Sequence, residues 1–398
     1  MTRLLYILPG PVPPGPDPDR DKFRYLSEIA EGDVLLPVWW DASESVSPYL
    51  RATFPAYRVG NFAYHLFLMY RSPKLFQRLA TLVFYLKVGL QLHKKRKFDV
   101  IMTYGTNRTG LAGVILKWLT GAKLILEVPG VPQDAYRYEE PRAGLRTAAK
   151  RFFANLSLLF GGWVADCIKL LYPAQLDSYP LLRSKKVAVF HDFVPVRAVH
   201  AKKSAGPFIL LTGQPWYRKG ADILIRAFRL IAADFPDYKL KLMGYYPDQE
   251  CLDKLAEGCP QIEFLTPRPN EEALNVIGSC SVFVLASRSE AMGRVLLEAM
   301  AAKKPIVASA VDGVPHYITH GENGLLFEKE NVEELVQKLR VLLSDPELRA
   351  RLAKKGYERV HSEYGEQAYV RSFDHMLRAV QGESTEERAK AVAATSAS

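Results

Sequence analysis

The chain has 398 residues, of which 48% are apolar and 24% charged, and a formal net charge of +10. That length predicts two or three domains with an ample core, and the balance excludes a disordered or fibrous chain. Cys167, Cys251, Cys259 and Cys280 have no CxxC or metal-ligand spacing, so they read as small apolar groups in a reducing compartment and exclude a disulfide scaffold.

Residues 4–8 read as a first strand. The start of the chain has one charge and a short apolar run before prolines, which is not a secretory pattern. No stretch approaches the length of an uncharged membrane span, so a cytoplasmic location is expected. The loop 9–16 follows, with Gly10 and Gly15 among prolines that forbid regular structure. Residues 23–30 read as a helix and 33–37 as a strand. Further strands are expected at 99–102, 123–126 and 187–190, with a helix over 109–119 ended at Gly121. Repeated strand–helix units predict a parallel sheet with helices on both faces. A polar linker spans 199–206. The pattern then restarts, with strands at 208–211, 240–243, 262–265, 282–285 and 305–308 and late helices at 331–343 and 345–361. We therefore expect domains at 1–200 and 201–365, a helix over 366–380 packing back on the first domain, and a disordered tail at 381–398.

Charge is unevenly placed. Residues 1–200 hold 27 Lys and Arg against 16 Asp and Glu, and most of this excess lies between Arg51 and Lys97. The segment 62–97 interleaves Phe, Leu and Tyr with Arg71, Lys74, Arg78 and Lys87, and ends in His93-Lys-Lys-Arg-Lys97. It reads as a basic amphipathic helix for an anionic membrane surface, on the inner face of a membrane. A core-facing helix with a solvated basic side is the competing reading. No nucleic-acid motif accompanies it, so no nucleic-acid partner is expected.

The densest signal is Ser287-Arg-Ser-Glu-Ala-Met-Gly-Arg-Val-Leu-Leu-Glu-Ala-Met-Ala301, after the apolar run 281–286. The run is a buried strand, and helix formers resume near Gly293. A strand, a small-residue turn and a helix start together make an anion site, because free N–H groups and the helix dipole point at the ligand. Glu298 lies five residues past Gly293, roughly 7 Å along the axis at 1.5 Å per residue, about the distance from a diphosphate to ribose hydroxyls. Glu290 stays at the mouth. A second turn, Leu211-Thr-Gly-Gln-Pro-Trp-Tyr-Arg-Lys-Gly220, carries Arg218 and Lys219 at a helix start, where cations oppose the dipole unless an anion lies between them.

These segments resemble the retaining glycosyltransferases of family 4, whose pattern is Ser-x-x-Glu-Gly-Phe-Gly, four residues, then Glu-Ala-Met-Ala. Ser287, Glu290, Gly293, Glu298, Ala299, Met300 and Ala301 match; Ala291 and Met292 depart. The resemblance implies an α/β fold of two Rossmann-like domains facing across a cleft (GT-B). It implies a nucleoside-diphosphate sugar as co-substrate and a lipid-linked or glycan acceptor; the sequence shows no metal-ligand cluster, so neither a metal nor another cofactor is expected. In the family's Gly-Arg, five residues, Lys-Gly segment, Lys219 takes the diphosphate-binding Lys position. Gln214 stands where Arg is common, which shifts that role to Arg218. The implied catalytic residues are Glu290, Lys219 and Arg218. The implied donor contacts are Gly213, Gln214, Arg268 (in the loop 264–270 that borders the base), Met292, Gly293, Arg294, Val295 and Glu298. Gly10 and Gly15 belong to a loop that closes from the first domain. His316 replaces a family Glu, and the 311–316 and 320–327 glycines read as structural turns. Pro129 stands where a family His often follows the strand, and Glu127 before it reads as a surface strand residue, with a buried partner as the alternative. A non-catalytic sugar-nucleotide scaffold and a nucleotide-sugar isomerase of similar architecture are the alternatives.

Overall fold

The computed structural model describes residues 1–10, 20–39, 57–69, 73–131, 136–138, 144–202, 206–246 and 249–382. Gly15, Arg71 and residues 383–398 lie outside the described residues. The first eight strands form one sheet: β1 (Thr2–Ile7), β2 (Ala30–Trp39), β3 (Arg58–Val59), β4 (Phe62–Met69), β5 (Val100–Tyr104), β6 (Lys123–Glu127), β7 (Cys167–Leu170) and β8 (Val187–Val189). Their spatial order is β3-β4-β2-β1-β5-β6-β7-β8, parallel except for the two-residue β3. The next six form a second sheet: β9 (Phe208–Thr212), β10 (Lys239–Met243), β11 (Ile262–Leu265), β12 (Val282–Leu285), β13 (Ile306–Ser309) and β14 (Leu325–Phe327), in the order β11-β10-β9-β12-β13-β14. Every recorded pair in it is parallel. The central strands β9, β12 and β13 are buried throughout, as strands covered by helices on both faces must be. The fold is thus α/β with two parallel sheets.

Each sheet carries apolar packing on both sides. One side of the first sheet buries Leu5, Ile7, Ile101, Leu124 and Leu126 under helices Lys74–Lys95, Arg108–Thr120 and Leu145–Val164. Its other side buries Leu4, Tyr6, Val100 and Ile125 with Phe23 of helix Lys22–Leu26. Helix Glu366–Gln381 completes this second layer through Tyr369, Phe373, Met376 and Leu377. Tyr369 meets Phe190 and Phe193 with ring centroids 5.7 and 5.4 Å apart. Val194, Val196 and Val199 pack in the second domain's core, as do Leu171 and Tyr172 between β7 and β8.

Three local expectations change. Residues 62–69 are not helical: Phe62–Met69 is β4, paired with β2 from Phe62↔Gly32 to Met69↔Trp39. Phe, Tyr and Leu satisfy a strand as well as a helix, and an adjacent edge on β2 decides the matter. The first helix stops at Leu26, and β2 begins at Ala30. Gln381, expected in the tail, is the last helical residue, and Gly382 caps the helix in the left-handed region. Helix Leu145–Val164, β7 and β14 add to the elements expected from the sequence.

Candidate active site

Two strand–helix turns of the second domain meet because β9 and β12 are neighbours. After β9 the chain makes the short helix Trp216–Lys219 and turns through Gly220 into helix Ala221–Arg229. Gly220 has φ +69°, and a Cβ there would lie 1.9 Å from the Ala286 carbonyl oxygen. Only glycine lets the two turns approach this closely. Gly213, at φ +125°, plays a second part: a Cβ on it would come within 2.8 Å of Lys219 Cε. The bare backbone is the channel through which the buried Lys219 stem runs.

After β12, Gly293 (φ +67°) caps helix Arg294–Ala301. Lys219 Nζ forms an ion pair with Glu290 Oε2, and Ser287 Oγ donates to the same oxygen at 3.3 Å. Asp312 fixes the turn from the other side. Its Oδ2 accepts from Ser289 Oγ at 2.7 Å and from the Glu290 amide at 2.8 Å. Gly313 N donates to the Glu290 carbonyl at 3.2 Å.

Beneath these loops lies Arg288, 4% exposed. Its Nη1 and Nη2 each donate to a carboxylate oxygen of buried Asp222 at 2.8 Å. Its Nε meets Glu330 at 2.5 Å, and its guanidinium carbon lies 3.9 Å from the Tyr217 ring centroid. The Arg288 amide donates to the Arg218 carbonyl at 2.7 Å. These contacts join the Lys219 turn to the Glu290 turn. Burial disfavours the Arg288 charge, but its carboxylate partners outweigh this and raise its pKa further.

Glu298 is 6% exposed, one turn from Arg294, whose Nε lies 3.1 Å away. Burial raises the Glu298 carboxyl above the ordinary glutamate value, and Arg294 opposes that shift only in part. Val295 is partly buried against the core. Met292 is buried and turns to the first domain, where its sulfur accepts from the Asp192 amide at 3.2 Å. Arg218 donates to the Gln214 carbonyl at 3.2 Å. It lines a cavity of about 170 Å³ with Glu290, Ala291 and Asp312, facing Pro129, Gly130 and Tyr172 of the first domain. Arg268 is not brought there. It pairs with Glu272 at 3.2 Å and lines a separate hollow with Lys239 and Lys241. Gly10 sits at φ +64° beside Pro37, where a Cβ would lie 2.0 Å from the carbonyl oxygen.

The first domain brings its own charges to the ends of its strands. Glu127 is not a surface residue: it is 1% exposed and pairs with fully buried Lys169 at 2.6 Å. The parallel register sets Glu127 directly beside Lys169. Tyr6 Oη donates to Glu127 at 2.6 Å, and Lys22 Nζ donates to Tyr6 Oη at 2.8 Å. Tyr104 Oη reaches Asp192 at 3.2 Å. Burial pushes the Asp192 carboxyl up, but Lys169, Lys22 and Arg294 outweigh it and hold it below its ordinary value. His191 is buried, with Nδ1 2.8 Å from the Asp192 carbonyl oxygen, and burial lowers its pKa to about 4.

Sequence reasoning missed Arg288 and Asp222 as a pair, Asp312 as the clamp, and the Glu127–Lys169 pair. Single charges inside apolar strands, as in Lys123-Leu-Ile-Leu-Glu127 and Cys167-Ile-Lys-Leu170, were the available signal, since buried charges need partners.

Residues 194–359 match the family described as glycosyl transferases group 1. An uncharacterized glycosyltransferase of Haemophilus influenzae is 34% identical over 174 residues, 42% of this chain; the chain thus spans about half of that relative's length, 48%. The Staphylococcus aureus capsular polysaccharide biosynthesis glycosyltransferase CapM is 23% identical over 78% of this chain and 84% of its own. Among solved structures, sucrose-phosphate synthase from Thermosynechococcus elongatus superposes with TM-score 0.76 at 18% identity, over 96% of this chain and all of that one. Anabaena HepE in complex with UDP-glucose does so with TM-score 0.68 at 15% identity, over 95% and 100%. The structural likenesses establish an α/β fold of two parallel-sheet domains shared with these solved proteins, and the family match lies over the second domain. Among the described residues, no helix is long and apolar enough to cross a membrane.

Proposed function

We propose that this chain transfers a glycosyl group from a nucleoside-diphosphate sugar to a glycan or lipid-linked acceptor, in the cleft between its domains, with retention at the anomeric carbon. The observation that carries the reading is the Lys219–Glu290 pair, held at the mouth of helix Arg294–Ala301 and opposite the first domain's Pro129–Gly130 turn. The diphosphate takes the Arg218 side of the cavity, with Lys219 behind Glu290, where the N–H groups after Gly293 add to the positive field. As the anomeric C–O bond breaks, negative charge grows on the departing diphosphate and these cations stabilise it. No metal ion enters this reading. Glu290, freed from Lys219, orients the sugar hydroxyls. Glu298, one turn into the helix, accepts from the ribose. HepE in complex with UDP-glucose supports a donor of this chemical class, and CapM supports a polysaccharide setting.

One observation favours a second reading. Glu127, Asp192 and His191 lie near the domain junction, and a nucleotide-sugar isomerase would use carboxylates and a histidine there. His191 argues against it: its Nδ1 is occupied by the Asp192 carbonyl, and its ring packs against Tyr364 and Tyr369 at 5.4 and 5.8 Å. Incubating the protein with a panel of nucleotide sugars and following the anomeric protons by NMR decides between them. Released nucleotide with α-configured product from an α-configured donor supports transfer with retention. Intact nucleotide attached to an epimerised sugar supports the isomerase and overturns transfer.

A further inference from the structure

The three helices over one side of the first sheet, Lys74–Lys95, Arg108–Thr120 and Leu145–Val164, contain ten Lys and Arg and not one Asp or Glu. Helices of the second domain differ: Val332–Ser344 and Pro346–Glu363 mix both signs. The same three helices hold thirteen of the twenty exposed large apolar side chains among the described residues.

The placement is ordered. Helix Leu145–Val164 turns Ala154, Leu158 and Gly161 to the core. With about 100° between successive residues, Leu145, Phe152, Phe153, Leu156, Phe160 and Trp163 fall on one stripe roughly 100° wide, on the opposite side. Phe152 and Phe153 are each 64% exposed and Trp163 67%. Helix Lys74–Lys95 repeats the arrangement, with Leu75, Phe76, Leu79 and Val83 outward and Phe84 and Tyr85 inward. Trp118 of the middle helix meets Phe160 at 6.2 Å and joins the stripes. A helix needs one apolar face to fold onto its sheet. A second, outward face of aromatic and aliphatic groups flanked only by cations is a surface for something both apolar and anionic.

We infer that this three-helix face docks on the surface of an anionic bilayer, with Phe152, Phe153, Trp118 and Trp163 entering the headgroup–acyl boundary and the flanking cations meeting the lipid phosphates. The inference does not rest on the donor chemistry. It also moves the contact away from the Lys94–Lys97 run alone, which sits at one end of a single helix. Nucleic acid fits the cations but gives no role to outward Leu79, Val83 and Leu156. In the chain the three helices follow β4, β5 and β6, and Pro129 and Gly130, just past the end of β6, line the cavity between the domains, so the docked face and the cleft adjoin.

Flotation of the full chain tests this, with phosphatidylcholine vesicles that contain or lack phosphatidylglycerol. The protein should float with the anionic vesicles and not with the neutral ones, and added salt should reduce binding without abolishing it, because the apolar part is unscreened. Phe152→Ser/Phe153→Ser/Trp163→Ser should weaken binding by about tenfold or more. The replaced side chains touch solvent, so its far-UV spectrum and melting should match the parent. Lys150→Glu/Arg151→Glu is the second variant, and it should lose anionic selectivity even if the first fails to fold. Protein that stays in the supernatant with both vesicles overturns the inference. So does binding unchanged in both variants, and so does a lipid-free dimer dissolved by the triple substitution, which would assign the face to a second copy.

Discussion

Replacing Arg288 with Met should destabilise the second domain and disorder the Lys219 and Glu290 turns together. The side chain is 4% exposed and makes two 2.8 Å bonds to Asp222, itself 4% exposed. Removing one partner of such a pair leaves a buried charge behind and costs about 3–5 kcal/mol. Asp222 keeps a contact with half-exposed Arg226 at 2.5 Å, which places the expected loss near the lower end, about 3 kcal/mol, or more than a hundredfold in the folding equilibrium. For a domain of this size, that lowers the midpoint by roughly 6–12 °C. Two domains need not melt as one, so calorimetry should follow the second domain's own transition. Replacing both partners by apolar groups is far less costly. Arg288→Met/Asp222→Leu should therefore recover much of the loss, with a coupling above about 1.5 kcal/mol in the double-mutant cycle. An Arg288→Met protein within about 1 kcal/mol of the parent, or a double variant no better than the single, would refute the reasoning.

Gly220→Ala should be as disruptive by another route: the Cβ that would lie 1.9 Å from the Ala286 oxygen forces the two turns apart, at a cost above about 2 kcal/mol, and urea unfolding reads it. Glu298→Ala should weaken UDP or GDP binding by calorimetry while leaving the melting temperature close to the parent's or higher, since a buried carboxylate is lost. Glu298 also gives the pH dependence a sign. Its folded pKa is raised above the ordinary 4.5 by burial, so the stability linked to it is fully present below that value and is lost as pH rises through the raised one. Ribose hydroxyls bind the ionised form, so nucleotide affinity should rise with pH across the same window, with proton release on binding; uptake, or a flat profile, counts against the ribose role.

Much of the fold is legible along the chain. Apolar runs of four or five residues followed by helix formers mark β1, β5, β6 and most of the second sheet, because parallel strands buried on both faces leave no polar position. The Glu290, Gly293 and Glu298 spacing is equally local. What the sequence hides depends on neighbours distant in the chain. Phe62–Met69 takes its strand form from an edge on β2. Helix Leu145–Val164 begins after Gly144 with no side-chain cap and ends past Gly161-Gly162, so no start or stop signal marks it. Arg288 and Asp222 are 66 residues apart and meet only because β9 and β12 are adjacent. Glu127 looks like a surface charge until β7 sets Lys169 beside it.

The central claim is that Lys219 and Glu290 form the place where a nucleoside diphosphate leaves its sugar. Release of UDP or GDP from nucleotide sugars, measured for the parent and for Lys219→Ala, tests it most directly. Charge on the leaving group is greatest in the transition state, so the substitution should lower kcat by about a hundredfold or more with a smaller change in KM. Activity within about threefold of the parent would contradict the assignment of Lys219 to the diphosphate.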